Sequence, residues 1–173
     1  MTEDDGLRLR RAEQADVDFL VELMTDAEVE PFMATIRPRD RDSMLAEIER
    51  SETDPKEYGR FLIEVDGQRV GLMGFEVANR RSRIANLGSL AVHPSFRNQG
   101  VADRAAHLFQ RHLIFDLDFH RLQLECYAFN ERAVRHAERS GFVREGVKRK
   151  AYGRHGEWVD AIMFALIRED LEP

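Results

Sequence analysis

Apolar positions alternate with basic ones over residues 7–12, and a period of two predicts a first strand. The period lengthens over 13–28, where Val17, Leu20, Val21 and Met24 recur at helical spacing until Glu30-Pro31 breaks the run. A second helix is predicted over 40–50, with Met44, Leu45 and Ile48 on one face. Strand patterns follow over 58–65 and 68–77. The Asp66-Gly67 pair between them is a strong hairpin signal, because a two-residue turn needs residues that tolerate positive φ. After a turn at 79–82, a strand runs over 84–92 and stops at His93-Pro94. Val101, Ala105, Leu108 and Leu113 then predict a helix over 99–115. Over 121–129 the alternation puts Leu122, Leu124 and Cys126 on one face of a strand and Gln123, Glu125 and Tyr127 on the other. A helix over 130–139 ends at Ser140-Gly141, and two strands, 142–151 and 158–166, turn through 153–156. The predicted order is β-α-α-β-β-β-α-β-α-β-β. Hairpin neighbours are too frequent for a doubly wound parallel sheet. An α+β (mixed α/β) class with helices on the faces of a mixed sheet is expected.

Composition narrows the range of functions. The chain has 173 residues, enough for one domain with its own core, and neither repeats nor a long linker divide it. Acidic residues outnumber basic ones, 32 to 26. A net charge of −6 argues against a generic nucleic-acid binder, which needs a basic face for phosphate. No apolar run approaches the roughly 20 residues of a membrane-spanning helix, so no membrane partner is expected. The acidic start of the chain is unlike a secretory signal. The single cysteine, Cys126, excludes a disulfide framework and a Cys-rich zinc site; no metal and a reducing, cytoplasmic setting are expected. The charge is uneven: residues 1–60 hold 17 acidic and 9 basic residues, whereas the rest hold 15 and 17.

Candidate chemistry concentrates in the run Leu90-Ala91-Val92-His93-Pro94-Ser95-Phe96-Arg97-Asn98-Gln99-Gly100-Val101-Ala102. A strand stops, and a short loop opens directly into a helix. The first amides of that helix lack intrahelical acceptors and lie at the positive end of its dipole, so they suit a pyrophosphate. Gly100 lets the backbone approach such a ligand, Ala102 is nearly as small, and Arg97 adds a positive charge at the mouth.

This run resembles the acetyl-CoA motif of the GNAT superfamily of N-acetyltransferases. Asn130-Glu131-Arg132-Ala133 and Ser140-Gly141-Phe142 resemble the helix-and-strand signature that follows the family's splayed strand. The tail from Glu145-Gly146 through Tyr152, with 160–166, resembles the branch of ribosomal-protein N-terminal and spermidine acetyltransferases. The resemblance implies a mostly antiparallel sheet of about seven strands with a splay between the fourth and fifth, and acetyl-CoA as co-substrate. It implies that the backbone of Leu90, Ala91 and Val92 pairs with the pantetheine arm. The amides of Asn98, Gln99, Gly100, Val101 and Ala102 would take the pyrophosphate. Asn130 matches a pantetheine-binding asparagine, and it is equally suited to cap the helix it starts.

Amine acetylation needs a proton acceptor, since primary amines are mostly protonated at neutral pH. Glu125, five residues before Asn130, matches the general base of some relatives; a salt-bridged surface role is the other reading, and Glu76 is a second candidate. The tyrosine that protonates the leaving thiolate in many members is replaced by Ala137, leaving Ser140, His136 or a water. The resemblance places the acceptor between segments 27–37 and 151–157, where Glu28, Glu30, Phe32 and Tyr152 would hold a cation. Arg132, Arg135 and Arg139 would lie toward the nucleotide. The expected reaction is direct acetyl transfer to a protein N-terminal amine or a small amine. Alternatives are a polyamine acceptor, or a degenerate acyl-CoA sensor that does not catalyse. A homodimer is left open.

Overall fold

The structure, a computed structural model, describes residues 2–33 and 39–172. Residues 34–38, part of the expected acceptor segment 27–37, lie outside the described residues. Eight strands of the described residues form one sheet: β1 (Thr2–Asp4), β2 (Leu7–Arg11), β3 (Tyr58–Val65), β4 (Gln68–Asn79), β5 (Ile84–Val92), β6 (Arg121–Tyr127), β7 (Val143–Arg154) and β8 (Glu157–Ile167), in the order β1-β2-β3-β4-β5-β6-β8-β7. Every neighbouring pair is antiparallel except β5–β6. The seven predicted strands are all present. The eighth, β1, folds back on β2 through Asp5-Gly6, whose φ values of +40° and +77° make the same kind of turn as Asp66-Gly67. The last hairpin turns within the predicted 153–156 but more tightly, at His155-Gly156, so β7 and β8 both reach further and register shifts absorb the added length.

Among the described residues, five α-helices flank the sheet: α1 (Val17–Thr25), α2 (Arg41–Thr53), α3 (Val101–Arg111), α4 (Glu131–Arg139) and the short α5 (Arg168–Leu171). The predicted helix over 13–28 is shorter, because a 3-10 turn at Gln14–Asp16 precedes α1 and Asp26 ends it. Asp40 caps α2 by accepting from the Ser43 amide at 2.8 Å. Side chains alternate across the sheet to build two apolar layers. Leu9, Phe61, Phe75, Leu122 and Phe164 pack with Ala105 and Phe109 of α3. Leu62, Leu72 and Ala91 pack on the opposite face with α1 and α2 through Leu20, Met24 and Ile48.

One buried charge joins β2 and β4 to the start of α1. Asp16 is fully buried and accepts from Arg10 at 2.7 and 3.0 Å, from Arg69 at 2.7 Å and from the Glu13 amide at 2.8 Å. Burial alone raises the carboxyl's pKa. The hydrogen bonds from Arg10, Glu13 and Arg69 outweigh that and bring it down to about 2. Asp16→Asn, which leaves two guanidinium groups short of their anion, is expected to cost about 3 kcal/mol in urea unfolding. A depressed carboxyl pKa stabilises the fold above the unfolded value and loses its effect as pH falls. In the wild type about 2 kcal/mol should therefore disappear between about pH 4 and pH 2, and the variant should lack that component.

Candidate active site

The sheet is split beside the phosphate-type loop. Strands β5 and β6 pair only through Ile84–Arg121, Ala85–Leu122 and Asn86–Gln123. The Gln123 Nε2 donates to Asn86 Oδ1 at 2.7 Å and closes the base of the split. Beyond it, β4 registers Gly74 with Gly88 but Leu72 with Ala91, so Met73 faces both Ser89 and Leu90. This bulge, with Ser89 at φ +59°, bends β5 away from its parallel neighbour. Arg60 Nη1 holds the bulge by donating to Ser89 Oγ at 2.9 Å. Past residue 86, the side of β5 that faces β6 has no ladder partner, and the backbone of Leu90, Ala91 and Val92 lies along that notch. Amide and carbonyl groups of this kind need a partner from water or a ligand.

The loop opens at the mouth of the notch. Pro94–Phe96 is a 3-10 turn, Asn98 has φ +59°, and Gly100 is the N-cap of α3 at φ +73°. No side chain caps α3, so its first amides stay available. A Cβ built on Gly100 meets nothing within 4 Å, which leaves room for a ligand in front of the helix. Asn98, Gln99 and Gly100 are exposed; Val101 is buried, and Ala102 is half-buried. Gln99 folds its side chain back, donating to the Ser95 carbonyl at 3.2 Å. Arg97 ties the loop to the first helical segment, donating to the Val92 carbonyl at 3.4 Å and the Glu28 carbonyl at 3.0 Å. Burial lowers its pKa, helped by the nearby Arg132.

Asn130 caps α4: its Oδ1 accepts from the Ala133 amide at 3.2 Å. Glu125 lies on the predicted face of β6. It is ion-paired to Lys148, and the Tyr152 hydroxyl donates to its Oε2 at 2.6 Å. Burial pushes the Glu125 carboxyl up, but the bonds from Lys148 and Tyr152 prevail and hold it below the usual range. Glu76 lies on the same sheet face, bonded to Arg50 at 2.7 Å. Cys126 points to the opposite face, where burial raises its thiol to about 11 and keeps it protonated.

The expected acceptor walls do meet. Glu30–Phe32 forms a 3-10 turn that docks on the β7–β8 hairpin. Arg154 Nη2 donates to the Glu30 carbonyl at 2.7 Å and to Glu30 Oε1 at 3.1 Å. Phe32 faces Phe129 with ring centroids 6.1 Å apart; Phe129 stacks on Tyr127 at 5.2 Å, and Tyr127 meets Tyr152 at 5.9 Å. Phe32 and Tyr152 are therefore brought together through two rings that the sequence reading did not select. Tyr127 shares the Glu125 face by simple alternation, which was the available signal. Glu30 does not offer a free carboxylate, because Arg154 occupies it; Glu28 is exposed.

The three arginines of α4 diverge. Arg132 lies over Phe32 at 5.8 Å, Arg135 pairs with Glu131 and Arg139 pairs with Asp103. Asp103 also binds His136 Nδ1 at 2.8 Å, and His136 Nε2 is 3.5 Å from Ser140 Oγ. Ser140 lines a shallow cavity of about 250 Å³ with Asp103, His107 and Gln110. No residue of β5 or β6 lines it, so Ser140 and the notch do not share a wall. Ala137 is buried in the core.

A sheet split between two parallel strands, with an uncapped helix N-terminus at the mouth of the split, places the chain in the class of split-sheet acyltransferases. Residues 6–143 match the family model of the acetyltransferase (GNAT) domain, and the chain belongs to the GNAT acetyltransferase family. It is 24% identical over 169 residues to the spermidine N(1)-acetyltransferase of Escherichia coli strain K12, covering 94% of this chain and 87% of that protein. Its fold matches that of Vibrio cholerae spermidine N-acetyltransferase in complex with CoA and spermine, at a TM-score of 0.87 and 20% identity over 98% of this chain and 100% of that one. It also matches a ribosomal L7/L12 alpha-N-protein acetyltransferase in complex with coenzyme A, at a TM-score of 0.84 and 21% identity over 95% of each chain.

Lys148→Met should raise the Glu125 pKa, because the opposing burial remains once a principal hydrogen bond is gone. Carboxyl-carbon NMR titration reads this directly. No change would mean that the Tyr152 hydroxyl alone sets the value.

Proposed function

We propose that this GNAT acetyltransferase transfers the acetyl group of acetyl-CoA directly to a primary amine within a ternary complex, the acceptor being a protein N-terminal amine or a small amine. The observation that supports this most is the coincidence of three features in one place: the unpaired side of β5 along 90–92, the uncapped α3 N-terminus at Gly100, and the paired aromatic walls next to them. A pantetheine arm carries amides that complete the β5 ladder, in the manner of an added strand. The amides of Asn98 to Ala102 take the pyrophosphate at the positive end of α3. Asn130, already the cap of α4, stands on the far side of the notch. The whole chain serves as one such domain, in a cytoplasmic setting. The reading calls on no metal, nucleic acid or membrane.

Glu125 is assigned as the proton acceptor. Its depressed pKa keeps it ionised at neutral pH, and a water relays the amine's proton to it as the nitrogen attacks the thioester carbonyl. The carbon–sulfur bond then breaks and the thiolate departs, a tolerable leaving group because a thiol pKa lies near 8.5. Phe32 and Tyr152 wall the acceptor, and Glu28 offers the exposed carboxylate; Glu30 positions Arg154 rather than the amine. A polyamine acceptor is the second reading, favoured by the likeness in sequence to a spermidine acetyltransferase.

Gly100→Val places a β-branched side chain at φ +73° and fills the space before α3. Acetyl-CoA affinity by calorimetry should fall at least about tenfold, which corresponds to 1.4 kcal/mol. Unchanged affinity refutes the loop assignment. Glu125→Gln should lower turnover most at low pH, where removing a proton from the amine is hardest. An unaltered pH–rate profile removes Glu125 from the mechanism. Thiol release over a panel of peptides, small amines and polyamines separates the acceptors, and acetyl-CoA binding without turnover on any of them would favour a sensor.

A further inference from the structure

Among the described residues, the acceptor cleft has a cation without an ion-pair partner. Four of its acids are paired: Glu47 with Arg60 at 2.7 Å, Glu76 with Arg50 at 2.7 Å, Glu30 with Arg154 at 3.1 Å, and Glu125 with Lys148. Arg39 stands among these groups, within electrostatic reach of Glu47, Arg60, Tyr58 and Glu30. It forms no ion pair with any described residue, and its Nε is buried without a hydrogen-bond partner. Two more donors nearby are in the same state: the Tyr58 hydroxyl, on a residue 3% exposed, and the Arg154 Nε. Burial lowers the Arg39 pKa from its ordinary value, the direction for a cation short of water and of a counter-ion.

Buried donors without acceptors are costly, and a half-buried guanidinium without an anion more so. What this cluster lacks is oxygen. Above Gly88, on the sheet face that carries Arg60, a Cβ would meet nothing within 4 Å, so there is space for a ligand beside the bulge. Among the carboxylates of the cleft, Glu28 is exposed and has no cation of the described residues bonded to its side chain; Arg97 reaches its carbonyl instead. Among the described residues, the cleft thus presents a carboxylate, Glu28, and a partly buried cation, Arg39, each without an ion-pair partner. A polyamine answers the first and is repelled by the second, since it carries donors and positive charge alone. An amine that also carries a carboxylate answers both.

We propose that the acceptor is an amine bearing a carboxylate close to the nucleophilic nitrogen, and that Arg39 is the residue that selects it, with the Tyr58 hydroxyl as a further donor. This rests on the acetyltransferase reading above and specifies its substrate class. Two sources share the chemistry: the α-carboxylate of a free amino acid, and an acidic side chain at the start of a peptide.

The test uses matched acceptors: phenylalanine against phenethylamine, and an aspartyl- against an asparaginyl-initiated tripeptide, with spermidine as the carboxylate-free polyamine. Acetyl transfer is followed by thiol release. Binding of each acceptor to CoA-saturated protein is followed by calorimetry, which needs no turnover. The carboxylate-bearing member of at least one pair should be favoured about tenfold in kcat/KM, through KM, and in affinity. The pair that responds identifies the source. Arg39→Met should reduce that ratio to near one while leaving its carboxylate-free partner within about twofold; Arg39→Lys should keep part of the preference. The carboxylate-free acceptor in the same variant controls for folding. A wild-type ratio near one in both pairs, a preference for spermidine, or a ratio that survives Arg39→Met overturns the proposal. If acetyl-CoA binds but no amine is acetylated, the acetyltransferase reading fails instead, and the calorimetric ratios still decide the role of Arg39.

Discussion

The structure depends on where one parallel strand pair stops. Three residue pairs join β5 to β6, and then the bulge at Ser89 and Leu90 turns β5 aside. A bulge places two residues against one, so it increases local twist and ends pairing with the neighbour on the other side. Parallel strands also need a long crossover, and here that crossover begins with the loop and α3. The same event therefore leaves a row of backbone groups unpaired and sets a helix N-terminus at the end of that row. Both deficits would be expensive in a closed core. In an open notch they stay accessible, and it is there that the proposed acetyl-CoA would bring amides along its length and phosphate at its end.

The charges around the notch explain why its acids are not interchangeable. Glu125, Glu30 and Glu76 looked alike in sequence as candidates to attract or deprotonate an amine. In the folded chain each has a different partner, Lys148 with Tyr152, Arg154, and Arg50. These contacts hold the hairpin, the Glu30–Phe32 turn and α2 against the sheet as much as they prepare chemistry. Part of the acidic bias of the first 60 residues is thereby spent on structure: Asp16 binds Arg10 and Arg69, and Glu47 binds Arg60.

Much of this was legible along the chain. Strand periodicity placed Glu125 and Tyr127 opposite Leu124 and Cys126, because side chains in a strand alternate whatever the strand packs against. The loop from Leu90 to Ala102 was legible because a strand stop, a small-residue approach and a helix start are local facts. The hairpin at Asp66-Gly67 was read from its dipeptide, and the equivalent Asp5-Gly6 was passed over only because β1 is three residues long.

Local pattern was enough for seven of the eight strands and the four longer helices, for the two faces of each of those strands and for the helix start at Gly100, since each follows from contacts within a few residues. The tertiary structure alone decided which strands part, which carboxylates are already neutralised and that Arg39 is left without an ion-pair partner among the described residues. Lys148 lies 23 residues from Glu125, and Arg154 lies 124 from Glu30. Whether a charge is matched depends on every group that folding brings within a few ångströms of it, and no local pattern encodes that sum.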